Sequence, residues 1–170
     1  MCDIQSFKID DTPKRIIDLI LTSFRQHCKD PVTKDFVSFK YGQIQVHKAD
    51  YIFLAFSNKF TRTGKPITTV CGFLLLQHLK LQNEAYIDVV CSSSKGGIGG
   101  KLIKQAEHFA KNDLRCSVIK LSALSHVLQY YKKKHSYMET DKPCKLPVPV
   151  IKRKGSKSNG YRMTKCLSTS

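Results

Sequence analysis

The stretch Ala85-Tyr86-Ile87-Asp88-Val89-Val90-Cys91-Ser92-Ser93-Ser94-Lys95-Gly96-Gly97-Ile98-Gly99-Gly100-Lys101-Leu102-Ile103 decides the fold. Its opening run is rich in β-branched and aromatic residues and reads as a strand. Its close leads into Leu102, Ile103, Ala106, Phe109 and Ala110, which recur on one helical face. Four glycines stand between them. Glycine admits positive φ and leaves backbone N–H groups uncovered by side chains. A strand, a glycine turn and a helix N-terminus together make a phosphate cradle.

Working outward, Thr68 to Leu79 reads as a long strand and Tyr51 to Ser57 as its hairpin partner, joined by a turn from Asn58 to Pro66. Ala85 to Cys91 has few polar residues and is expected to lie centrally in the sheet. Cys2 to Ile9 is a weaker first strand. Thr12-Pro13 predicts a helix start, with a hydroxyl cap and proline at the first helical position. That helix carries Ile16, Ile17, Ile20, Leu21 and Phe24 and is expected to end before Pro31. Val32 and Phe36 suggest a short second helix. After the glycine helix, Ser117 to Leu121 predicts a strand and Ser125 to Lys134 a helix. Tyr137 to Glu139 and Tyr161 to Met163 are expected to form a final strand pair. This order predicts a mixed α/β class, with a central, mostly antiparallel sheet flanked by helices. All 170 residues are expected to form one domain, with a basic loop over 141–158 before the last strand.

Hydrophobic residues at 41% supply a core, and no apolar run is long enough to cross a bilayer. No basic segment followed by an apolar one opens the chain, so an intracellular, cytoplasmic or nuclear location is expected. The seven cysteines form no C-x-x-C pair and no zinc spacing, so no metal is expected and the thiols are expected to be reduced. Cys71, Cys91 and Cys116 sit in apolar runs as small buried hydrophobes. The net charge of +16 favours an anionic partner.

Two phosphate motifs fail on this loop. A P-loop needs a hydroxyl after Gly100-Lys101, where Leu102 stands, and a glycine where Lys95 stands. A dinucleotide fingerprint starting at Gly97-Ile98-Gly99 again meets Leu102 at its last glycine, and no acidic residue ends the strand near Leu121.

The segment Ser94-Lys95-Gly96-Gly97-Ile98-Gly99 resembles the acyl-CoA pyrophosphate loop of the GCN5-related N-acetyltransferase family, whose pattern is Gln or Arg, two residues, Gly, one residue, then Gly or Ala. Ser94 departs from the leading Gln or Arg, and Lys95 offers a neighbouring charge. Downstream, Tyr130-Tyr131 matches the family's aromatic-Tyr pair, followed by a lysine-rich turn. Ser136-Tyr137 replaces the family's Gly-Phe. The resemblance covers about 68–138.

That resemblance implies an acyl-CoA N-acyltransferase fold and an enzyme that passes an acetyl group from acetyl-CoA directly to an amine. It implies pyrophosphate contacts from Lys95, Gly96, Gly97, Ile98, Gly99, Gly100 and Lys101. It also implies pantetheine pairing along Val89, Val90 and Cys91, with Tyr131 as the acid for the departing thiolate. A phenol stays protonated at neutral pH, as that role needs. Asp88 and Glu84 are the candidate bases, with His78 on the neighbouring strand. The expected partners are acetyl-CoA and a protein or small amine, with no membrane. The alternative is an inactive protein of this fold whose basic segments, Lys132 to Lys134 and Lys152 to Lys157, hold nucleic acid or an acidic protein.

Overall fold

The computed structural model describes residues 2–28, 39–60, 63–64, 66–93, 97–124, 127–139 and 160–167. Its strands are β1 (Asp3–Lys8), β2 (Tyr51–Phe60), β3 (Pro66–Leu79), β4 (Glu84–Ser92), β5 (Val118–Leu124) and β6 (Gly160–Cys166). Its helices are α1 (Lys14–His27), α2 (Phe39–Lys48), α3 (Ile98–Asn112) and α4 (Leu128–His135). The strands form one sheet in the order β1-β2-β3-β4-β5-β6. β1 pairs antiparallel with β2, and β2 with β3. β4 pairs parallel with β5, and α3 supplies the crossover that a parallel pair requires. β5 pairs antiparallel with β6. This is the mixed α/β class that the sequence predicts.

The chain divides into two compact units, Met1–Gln77 with Asp88–Ala106 and His78–Ile87 with Glu107–Ser170. In the first, Ile20 and Phe24 of α1 pack with Ile52, Leu54, Phe73 and Leu75 of the sheet. The Phe24 and Phe73 rings lie 4.6 Å apart. Val89 and Cys91 of β4 lean on that core. In the second unit Ile119, Leu121, Ala123, Tyr137 and Met163 are buried.

Three expectations are corrected, and a fourth, the short helix around Val32 and Phe36, lies outside the described residues. Thr12 does not cap α1: its hydroxyl donates to the Lys8 carbonyl at 2.6 Å, and Pro13 takes the cap position with no side-chain bond. The second described helix is Phe39–Lys48. Tyr137 to Glu139 is not a strand. Met138 makes one isolated bridge to Thr164, while β6 takes its ladder from β5.

The thiols are not all reduced. Cys2 is bonded to Cys71 and Cys28 to Cys91. Cys166 is disulfide-bonded as well. Cys116 is the free, buried thiol among the described residues.

Candidate active site

Parallel pairing of β4 with β5 runs from Glu84–Val118 to Ile87–Leu121, and β4 continues beyond that ladder to Ser92. Val89, Val90 and Cys91 are half-buried there. The strand is seated by β3. Ser93 donates its N–H to the Cys71 carbonyl at 2.9 Å. Gly72 makes room for this approach, since a Cβ there would stand 2.7 Å from the Cys91 carbonyl oxygen and 2.8 Å from the Ser92 Cβ. The β2–β3 register slips between Ala55 and Phe56, placing an irregularity of β3 beside Cys71. Gly72 was not among the expected site residues. A lone glycine inside a β-branched strand is the signal that marks it.

The turn opens α3. Gly97 has φ +63°, a left-handed conformation that a side chain strains, and among the described residues nothing lies within 4 Å of the position its Cβ would take. A Cβ on Gly99 would meet the Ser92 hydroxyl at 3.0 Å. Lys101 donates its N–H to the Gly97 carbonyl at 3.2 Å, closing the first turn. The N–H groups of Ile98, Gly99 and Gly100 therefore precede the first intrahelical bond, at the positive end of the helix dipole. Lys101 is exposed on that turn. Gly97, Ile98, Gly99, Gly100 and Lys101 thus share the first turn of α3. Ser94, Lys95 and Gly96 lie outside the described residues.

The two carboxylate candidates differ. Glu84 is held by Lys120, with Oε2 and Nζ 2.6 Å apart. Asp88 carries no such ion pair among the described residues: burial raises its pKa to about 6, opposed by a hydrogen bond from Gln77 and by the charge of Lys48. One of its oxygens, Oδ2, is buried with no hydrogen-bond partner among the described residues. His78 is half-buried on β3.

Tyr131 lies on α4 and is buried. Its ring stacks edge-on with Tyr130 at 5.5 Å and Tyr137 at 5.9 Å. Burial pushes its phenol up to about 12, with the neighbouring Tyr130 adding to the effect. The helix ends at Ser136, which takes the left-handed conformation (φ +58°) that glycine would take without strain. Its N–H and that of Tyr137 both return to the Tyr131 carbonyl. Tyr137 is fully buried beside Glu107, whose proximity raises its phenol further above the ordinary range. Sequence reasoning missed Glu107, His135 and Lys165, which surround these tyrosines.

Lys132 is paired with Glu139 at 2.8 Å. The basic stretch 141–158 lies outside the described residues. No group of His, Cys, Asp and Glu suited to a metal occurs among the described residues. No described helix is long and apolar enough to cross a membrane. An open groove of about 370 Å³ lies between α1 and α2, lined by Lys14, Ile17, Asp18, Leu21, Val46 and His47, and holds none of the expected site residues.

No protein-family model and no curated protein matches the sequence. Solved structures do match. An acyl-CoA N-acyltransferase from Pseudomonas aeruginosa superposes with a TM-score of 0.66 at 17% identity, over 97% of this chain and 99% of that one. GCN5 from Tetrahymena gives 0.63 at 14%, over 98% and 96%. A chain of the NatC complex, solved with Gag peptide and CoA, gives 0.61 at 14%, over 98% and 99%. The chain has the fold of the GCN5-related N-acetyltransferases.

Proposed function

We propose that the protein is an acetyl-CoA-dependent N-acetyltransferase, which moves an acetyl group to an amine by direct attack on the thioester. One observation carries the reading: β4 runs past its β5 ladder and ends on a glycine turn that opens α3, within an acyltransferase fold. The presence of CoA in the NatC structure supports the choice of donor. Fold alone does not assign chemistry, so the residues must carry the rest.

The residues fit a pyrophosphate. Gly97 leaves open space over the turn, and the N–H groups of Ile98, Gly99 and Gly100 point from a helix N-terminus, where a diphosphate gains both hydrogen bonds and dipole. Lys101 adds a cationic side chain on the same turn. The backbone of Val89, Val90 and Cys91, beyond the ladder, offers N–H and C=O groups to an extended amide-bearing arm. Acetyl-CoA supplies the activated acetyl group.

Tyr131 holds its proton at any physiological pH, because burial places its phenol at about 12. The sulfur gains charge and basicity as the C–S bond breaks, so a phenol fixed beside it suits its protonation. Asp88 is the carboxylate placed to titrate near neutrality. Glu84 is committed to Lys120.

The test is release of CoA thiol from acetyl-CoA against a panel of peptide N-termini, lysine peptides and small amines. The expected result is turnover with at least one amine, lowered about 100-fold in Tyr131→Phe with little change in acetyl-CoA binding. Full turnover in Tyr131→Phe removes the acid role. No turnover with any amine removes the transferase reading.

A further inference from the structure

Two disulfides meet where β4 leaves the sheet, and the acetyl transfer uses neither. Cys28 is bonded to Cys91 and Cys2 to Cys71. Cys91 stands on the stretch of β4 whose backbone is proposed to meet the pantetheine arm. Cys71 lies on β3 beside this point, and its carbonyl accepts from the Ser93 N–H at 2.9 Å. Cys28 closes α1 and donates its own N–H to the Phe24 carbonyl at 3.1 Å. It is buried and packs in the core with Ile20, Leu21 and Phe24. All of these residues belong to the first compact unit.

The Cys28–Cys91 bond joins a fixed point to the cofactor strand. Cys28 is set in a close-packed core, which yields little to a change of volume. On the β5 side the β4 ladder runs only from Glu84 to Ile87, so Cys91 lies beyond it. Two thiols in van der Waals contact stand farther apart than two bonded sulfurs. When the bridge opens, the added separation therefore falls on β4 rather than on α1. Ser92, the next residue, carries the hydroxyl that stands 3.0 Å from the site of a Gly99 Cβ, so a displacement of Cys91 is felt at the glycine turn. Cys91 is half-buried, whereas Cys28 is buried, so an attacking thiolate reaches the Cys91 sulfur first.

We propose that the Cys28–Cys91 bridge is a redox switch on cofactor binding: closed, it holds β4 and the glycine turn in the form that takes acetyl-CoA, and opened by a dithiol reductant, it releases the strand and lowers the affinity. The inference rests on the reading of this site as an acetyl-CoA site. In the opening step a thiolate of the reductant attacks the Cys91 sulfur. The bond to Cys28 breaks, and Cys28 leaves as a thiolate that takes up a proton. The second thiol of the reductant then attacks the mixed disulfide and displaces Cys91, which is protonated in turn. Two electrons and two protons pass to the protein, and the reductant leaves as a disulfide. Closure is the reverse, with a disulfide oxidant. Because binding and bridge state are linked, acetyl-CoA must in turn protect the bridge from reduction.

The test is titration of acetyl-CoA into the full-length oxidised protein, the same protein equilibrated with excess dithiothreitol, Cys28→Ala and Cys2→Ala. Cys28→Ala opens the bridge and leaves the sequence of the cofactor strand intact. The switch predicts that dithiothreitol weakens binding by the wild type about tenfold, and that Cys28→Ala is weakened as much without it. Cys2→Ala, which keeps the Cys28–Cys91 bridge, keeps the response to dithiothreitol. Thiol labelling of the wild type in buffers of oxidised and reduced dithiothreitol reads the bridge itself. Saturating acetyl-CoA is expected to move its midpoint to more reducing potential, by about 30 mV for a tenfold coupling. The same labelling reads Cys116, the free and buried thiol of the second unit. Local opening labels Cys28 and Cys91 and spares Cys116, which decides the matter even if Cys28→Ala fails to fold. Equal affinity in the oxidised and reduced wild type, an unmoved midpoint, a response lost in Cys2→Ala, or Cys116 labelled in step with Cys91 each overturns the switch alone. No binding by any form overturns the acetyl-CoA site, and the switch with it.

Discussion

The Ser93 amide donates to the Cys71 carbonyl at 2.9 Å, and this bond sets the point where β4 yields to the glycine turn. The neighbouring Gly72 is what lets the two strands come this close, with 2.7 Å between a virtual Cβ and the Cys91 carbonyl oxygen. Backbone, not a flexible side-chain tip, would have to give way. Gly72→Ala is therefore expected to destabilise the protein by about 1 to 3 kcal/mol, the usual cost of overpacking. It is also expected to weaken acetyl-CoA binding, because the exit of β4 shifts. Denaturant melts and a binding titration check both. Wild-type values for both would show that the strand is seated some other way.

The bonds Cys2–Cys71 and Cys28–Cys91 tie β1 and the end of α1 to the two strands that meet at this point. Each closes a long loop, with sequence separations of 69 and 63 residues. Losing such a bridge costs about 2 to 5 kcal/mol in small domains. Thermal melts with and without reductant are expected to differ. Cys28→Ser/Cys91→Ser is expected to lower the melting temperature under non-reducing conditions, but only part of the way to the reduced wild type, in which Cys2–Cys71 is open as well. Identical melts in all four cases would argue against the bridges.

Asp88 gives the protein a pH dependence whose sign is fixed. Its folded pKa lies at about 6, above the ordinary 3.8, because burial disfavours the charged form. The native state therefore holds a proton that the unfolded chain releases. The contribution to stability is full below about pH 4, is lost as the pH rises to about 6, and is flat above. It amounts to about 1 to 2 kcal/mol once solvent screening at this half-buried site is allowed for. Asp88→Asn is expected to remove that fall, which urea melts at pH 4, 5, 6 and 7 would show. A wild-type stability that rises over the same interval contradicts the assignment.

The sequence exposed the architecture where local chemistry and global packing agree. The β4–turn–α3 unit is legible because β-branched residues, four glycines and a 3.6-residue repeat follow one another within one short stretch. Thr12-Pro13 misled because its hydroxyl found the Lys8 carbonyl, a local alternative to capping. The cysteines misled because pairing depends on Cα positions brought together from separations of 63 and 69 residues, which no spacing rule sees. Glu107, His135 and Tyr130 were invisible as a group for the same reason: Glu107 lies on α3, and only the fold brings it to His135. Ser136 shows the reverse case. It is not a glycine, yet its backbone adopts the left-handed conformation, and the Tyr137 N–H returns to the Tyr131 carbonyl.

The most direct measurement is calorimetric titration of acetyl-CoA into the protein and into Gly99→Glu, whose side chain would meet Ser92 and set a negative charge beside the turn. The account predicts micromolar or tighter binding by the wild type and its loss in a variant that still melts cooperatively. Absence of binding by the wild type, or equal binding by the variant, would contradict a cofactor cradle at Gly97 to Lys101.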